Sequence, residues 1–169
     1  MEIALLSPQT IKLKGKKTQI LVDPLSKSAE CHAALFLTTR PFSLEDVLSV
    51  DGPGEYEVGG TKIWGMWFGS EMVYGVKIDN VDIVIGKMST LEKAHAKLSE
   101  STVVILCSDS DKDTDASFVT AFSPKYVVVY GDKAKETVTR FEKEGITHSA
   151  KLSVIAEKLP EEMEVILLQ

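Results

Sequence analysis

The 169-residue chain is poor in the side chains that carry most site chemistry. Two cysteines, Cys31 and Cys107, are too few for a disulfide framework, and a reducing cytoplasm is the expected compartment. Cys107 ends an apolar run and reads as a small buried hydrophobe, and the Cys31-His32 dipeptide alone is weak evidence for a nucleophile or a metal ligand. The histidines number three, His32, His95 and His148, and no two stand at a ligand spacing such as i, i+2 or i, i+4. Each is expected at the surface or the edge of the core. No G-x-S-x-G elbow and no phosphate-cradling P-loop occurs. No apolar run approaches a membrane span, and Met1-Glu2-Ile3 lacks the basic start of a secretion signal. Positive charge is scarce too: 19 Lys and Arg against 25 Asp and Glu leave a net charge of −6. That balance disfavours a nucleic acid or an anionic membrane as the partner. Lys12, Lys14, Lys16 and Lys17 come nearest to a basic patch and read as a solvated hairpin tip.

What the chain does have is ordinary core-forming material, 44% hydrophobic and 26% charged, enough for one domain over residues 1–169. Its first half reads as strands: Ile3 to Leu6, Thr10 to Leu13, Thr18 to Val22 and Ala33 to Thr38. Ser43 to Asp46 could open a short helical turn. Further strands are expected at Glu57-Val58 and Lys62 to Trp67, then a hairpin of Glu71 to Ile78 and Val81 to Ile85 around Asp79-Asn80. The second half alternates. Helical spacing over Leu91 to Leu98, Asp115 to Phe122 and Lys133 to Glu144 is interleaved with strands at Val103 to Leu106 and Tyr126 to Tyr130. Leu152 to Ile155 and Glu164 to Leu168 close the chain as strands. This order predicts an α/β fold of two mixed β-sheets with outer helices.

The most specific string is Asp51-Gly52-Pro53-Gly54-Glu55-Tyr56-Glu57-Val58-Gly59-Gly60. Its proline and glycines place tight turns on either side of a short alternating strand. Together with Ile20-Leu21-Val22-Asp23-Pro24, Gly86, Pro124-Lys125-Tyr126 and the closing strands, it resembles the metallo-β-lactamase fold superfamily. Within it, the chain is most similar to compact zinc-dependent hydrolases related to L-ascorbate-6-phosphate lactonases. The resemblance implies an αββα sandwich with a metal site at one edge, where zinc held by a T-H-x-H-x-D-H loop activates a water.

The same resemblance exposes a set of absences. Aligned on Thr38, the loop's histidine positions hold Thr39, Pro41 and Leu44, and its aspartate position holds Ser43. The later family aspartate falls on Lys87 and the last histidine near Gly131. Pro41 and Leu44 offer no donor atom, and Lys87 puts an ammonium where a carboxylate belongs. No cofactor is therefore expected, although the family would use zinc.

Other constellations are less specific. Asp109, Asp111, Asp113 and Asp115 alternate as in a calcium loop, but the turning glycine and distal glutamate are missing, so a solvated helix-capping connection is favoured. Trp64 to Gly69 is aromatic enough for a pocket or an interface, with core and turn as the simpler assignment. The leading expectation is a catalytically degenerate member of the fold with a binding or assembly role, self-association included. One alternative is a metal-dependent hydrolase of a lactone, phosphodiester or thioester, using Asp23, Glu55 and the Asp109–Asp115 loop, Asp111 included, with a harder metal. Another is a sensor of small anions drawn to Arg40 and Lys87.

Overall fold

The computed structural model describes residues 1–26, 30–39, 42, 44–109, 115–141 and 145–169. Arg40, Pro41, Ser43, Asp111 and Asp113 lie outside the described residues. The strands in chain order are β1 (Glu2–Ser7), β2 (Thr10–Lys14), β3 (Gln19–Val22), β4 (Ala33–Leu35) and β5 (Leu48–Val50), followed by β6 (Gly54–Val58), β7 (Thr61–Phe68), β8 (Glu71–Ile78) and β9 (Val81–Lys87). Helix α1 (Met88–Ala94), β10 (Val103–Cys107), β11 (Tyr126–Tyr130) and α2 (Ala134–Val138) come next, then β12 (Thr147–Ser149), β13 (Lys151–Ser153) and β14 (Glu164–Leu168).

Two mixed sheets result, as the order of elements predicts. One has six strands in the order β13-β1-β2-β3-β4-β5, and the other has eight in the order β12-β14-β11-β10-β9-β8-β7-β6. Hairpins β1-β2-β3 and β6-β7-β8-β9 are antiparallel, whereas β3-β4-β5 and β9-β10-β11-β14 run parallel. Asp79 and Asn80 both take a left-handed backbone (φ 50° and 63°), the geometry a two-residue hairpin needs. The central parallel strands are apolar on both faces because both are covered. Ile105, Val128 and Ile166 face the first sheet, while Val104, Val127 and Val165 face the helices.

Three expectations need correction. Glu45 to Val47 form bends rather than a helical turn, and Leu44 packs on Ala34 and Phe36 in a small cluster outside the six-stranded sheet. Among the described residues the helices thus lie outside the eight-stranded sheet, while a loop covers the other. The segment Ala116–Phe122 is a 3-10 helix capped by Asp115, whose side chain accepts from the Ser117 amide. The last predicted helix is shorter, α2 plus a 3-10 turn at Thr139–Phe141. Two short strands, β5 and β12, escape sequence reading because three residues carry no period.

Candidate functional site

Where parallel strands end, side chains from successive loops converge, and the crevice outside those carboxyl ends is the usual place for a site. Here that edge is formed by β3, β4, β9 and β10. Asp23 follows β3, Thr38 and Thr39 follow β4, Lys87 ends β9 and Asp109 lies just beyond β10. All five, with Phe36 and Cys107 among their neighbours, line one pocket of about 290 Å³.

Asp23 is fixed by its backbone before its carboxylate does anything. Its φ is 48°, its amide donates to the Leu35 carbonyl at 2.9 Å, and its own carbonyl accepts from Thr10 Oγ1 at 2.7 Å. Its Oδ1 then accepts from the Leu37 amide at 2.9 Å, tying the loop after β4 to the end of β3. The buried Tyr74 hydroxyl joins the sheets close by, donating toward the Phe36 and Val50 carbonyls at 2.7 and 2.8 Å. Burial pushes the Asp23 carboxyl up to about 6, although the Leu37 amide and the Lys87 charge pull it down.

A folded-state pKa above the unfolded one means the native state holds the proton longer, so Asp23 lowers stability as pH rises from about 4 through 6. A shift of that size is worth roughly 3 kcal/mol, discounted to about 2 kcal/mol for partial solvent contact. Asp23→Asn keeps the acceptor for Leu37 and suits a left-handed backbone. Thermal unfolding should find it about 4–8 °C more stable than the parent at pH 8 and equal to it at pH 4. A gap that does not change with pH would refute this.

Lys87 is the centre of charge in the pocket. Its Nζ lies 2.6 Å from Asp109 Oδ2 and 3.3 Å from Glu71 Oε1. Thr90 Oγ1, from the first turn of α1, donates to the other Glu71 oxygen. Burial opposes the Lys87 charge, but the hydrogen bond and charge of Asp109, then those of Glu71, outweigh it and hold its pKa above the ordinary value. No motif of the sequence marks Glu71. It could have been found by extending the register of the Asp79-Asn80 hairpin, where Tyr74 opposes Ile85 and Ile78 opposes Val81, so that the start of β8 comes beside the end of β9.

Other candidates fall elsewhere or are spent. Glu55 is on β6, at the far edge of the eight-stranded sheet, and does not line this pocket. Lys87, expected to attract anions, is already paired with two carboxylates. Cys107 is buried and its thiol is pushed up to about 12, by burial first and then by the charge of Asp109, so it is no nucleophile. Burial likewise raises the Cys31 thiol. His32 Nδ1 accepts from the Gln19 amide at 3.0 Å, His95 Nδ1 faces the Glu92 carbonyl, and His148 Nδ1 faces the Gln169 side chain at 3.0 Å. Gly131 has φ 110°, and a Cβ there would lie 2.4 Å from the Ser108 carbonyl oxygen.

The residues present do not fit a metal centre of the kind the resemblance implies. Among the described residues no three His, Cys, Asp or Glu side chains are grouped to hold a metal ion. The cation facing Asp109 is the chain's own ammonium, and Leu44 turns to an apolar cluster.

This sandwich, with its pocket at the strands' carboxyl ends, has the metallo-β-lactamase fold. A protein from Thermotoga maritima, assigned as a Zn-dependent hydrolase of the metallo-β-lactamase superfamily, superposes with a TM-score of 0.75 at 15% identity, covering 99% of this chain and 97% of its own. A protein assigned as a metal-dependent hydrolase from Parabacteroides distasonis gives 0.60 at 15% identity, covering 99% and 93%. The metallo-β-lactamase fold protein YhfI from Bacillus subtilis gives 0.61 at 7% identity, covering 99% and 96%. At such identities the likeness establishes the fold alone. No family model matches the chain, and no curated protein matches it by sequence. Among the described residues no helix is long and apolar enough to cross a membrane.

Proposed function

We propose that this chain is a metallo-β-lactamase-fold protein in which an internal ion-pair network has replaced the metal, and that it acts by binding rather than hydrolysis. The observation that carries this reading is Lys87, whose ammonium lies between Asp109 and Glu71 at the pocket where the fold's relatives would be expected to place metal. A lysine fixed by two carboxylates supplies the positive charge the pocket needs, but it has no open coordination position and cannot activate a water as a metal does. The motifs around Pro53 to Gly60 support placing it beside the ascorbate-6-phosphate lactonase-like branch. The substitutions at Thr39, Leu44 and Gly131 agree with the same reading.

Elemental analysis of protein purified from metal-supplemented cultures should find well under one zinc, manganese or iron per chain. A panel of lactone, phosphodiester and thioester substrates should give no turnover with or without added divalent ions. Stoichiometric metal that is lost in Asp109→Asn would overturn the proposal.

A second reading has one observation in its favour: Asp23 and Asp109 face the same pocket. Two carboxylates could act with a hard cation in a metal-dependent hydrolase. That reading requires metal-stimulated hydrolysis that disappears in Asp23→Ala and in Asp109→Ala. Glu55 has no part in it.

A further inference from the structure

We infer that a second site lies at the opposite end of the sandwich and takes a nucleoside phosphate: a flat heteroaromatic ring laid on Trp64, with its phosphates among Lys16, Lys17, Lys62 and Lys77. Strand β9 runs from this end to Lys87, and its seven residues separate the two regions by about 20 Å.

The ring end is built on the outer face of β6-β7-β8, beyond the part of the sheet that the helices cover. Trp64 opposes Glu55 on one side and Gly75 on the other. A Cβ at Gly75 would lie 1.8 Å from the Trp64 ring, so the indole lies flat on the bare backbone of β8. One ring face is thereby spent on the sheet. The other borders a groove of about 420 Å³ walled by Glu55, Glu57, Lys62 and Lys77. A flat indole face with adjacent acceptors suits a ring that stacks and donates hydrogen bonds from an amino group or a sugar.

The anion end adjoins it. Lys62 and Lys77 also line a second hollow, of about 400 Å³, together with Lys16, Lys17 and the Gly59-Gly60 turn. Lys62 lies directly opposite Lys77 across the strands, an arrangement that destabilises a sheet unless an anion intervenes. Asp82 pairs with Lys77 at 3.2 Å, while Glu57, opposite Lys62 in register, makes no ion pair with it. Among the described residues Lys16, Lys17 and Lys62 have no carboxylate within ion-pair distance. The hollow's own aspartate, Asp79, is turned to the Lys16 amide at 3.0 Å and the Met1 amine at 3.7 Å. In a chain of net charge −6, four lysines around one hollow are a marked local reversal. Trp64 and Lys62 stand two residues apart on one face, about 7 Å, a separation that a sugar spans between base and phosphate.

The test is fluorescence titration of the full chain with ATP, using Trp67→Phe so that Trp64 is the remaining tryptophan. ATP should quench the emission saturably, and heteronuclear NMR should shift the Gly60 and Gly75 amides. Lys62→Glu and Lys16→Glu, both exposed, should each weaken binding about tenfold, and Trp64→Leu by a similar factor. Lys14→Glu, exposed but outside the groove, should bind as the parent does. Adenosine and inorganic triphosphate should each bind more weakly than ATP. Three results would overturn the inference: no quenching at millimolar ATP, binding unaltered in the Lys62 and Trp64 variants, or triphosphate binding as tightly as ATP. The amide shifts in the unsubstituted protein decide the matter if Trp64→Leu fails to fold.

Discussion

Lys87→Met should lower the melting temperature by about 5–10 °C and turn the pocket into a cation site. The substitution keeps the unbranched stem and removes the charge. Asp109 and Glu71, both partly buried, then face each other with Asp23 nearby and no counter-ion. Removing one member of a buried pair costs about 3–5 kcal/mol, and partial solvent contact here reduces that to about 2–3 kcal/mol. At two to four degrees per kcal/mol for a domain of this size, the loss is readily seen. The two carboxylates left behind, Asp109 and Glu71, are oxygen ligands for a hard cation in the place of the ammonium. Millimolar Mn²⁺ or Ca²⁺ should therefore restore part of the lost stability to the variant while leaving the parent unchanged. Equal response of both proteins, or of neither, would mean that the ammonium does not stand in for a metal.

The second large effect is expected at Gly131. Its φ of 110° lies where side chains are strained, and an added Cβ would meet the Ser108 carbonyl oxygen at 2.4 Å. That oxygen cannot retreat freely, because it accepts from the Lys133 amide at 2.9 Å while the Ser108 amide donates to Tyr130 at 2.8 Å. Backbone strain plus a backbone clash in a half-buried turn should cost Gly131→Ala about 3 kcal/mol or more, a fall of roughly 6–12 °C in the melting temperature. Gly131→His, which would place imidazole at the position the family resemblance assigns to a ligand, should be at least as destabilised. Differential scanning calorimetry of both variants checks this. A Gly131→Ala protein that melts with the parent would show that the turn adapts, and that a ligand could be reinstated there by one substitution.

The two predictions bear on one question, whether the pocket is a metal site lacking a few side chains or a differently organised one. The first treats the Lys87 network as a replacement that closes the charge balance. The second says that the backbone around Gly131 has settled into a form incompatible with a ligand side chain.

Much of the scaffold is legible in the sequence because it rests on short-range physics. Alternation and turn chemistry mark β1 to β3 and the β8-β9 hairpin, and Asp79-Asn80 supply the left-handed pair such a hairpin needs. Continuous apolar runs at Val103 to Leu106 and Tyr126 to Tyr130 mark strands covered on both faces. The substitutions at Thr39, Leu44 and Lys87 are equally visible, since a residue type either has a ligand atom or lacks one.

Tertiary structure alone decided what those residues do. Glu71 and Asp109 become the partners of Lys87 because β8 runs antiparallel and β10 parallel to β9, bringing the start of one and the end of the other to the same edge. Glu55, promising as a carboxylate in the most specific string of the chain, is carried by β6 to the far side of the sheet. Trp64 and Lys62 share β7, whereas Lys16 comes from the β2-β3 hairpin, and the two meet only when the sheets pack. Local periodicity fixes strands and turns, but charge pairing at a site depends on strand order and direction, which arise from contacts distant in sequence.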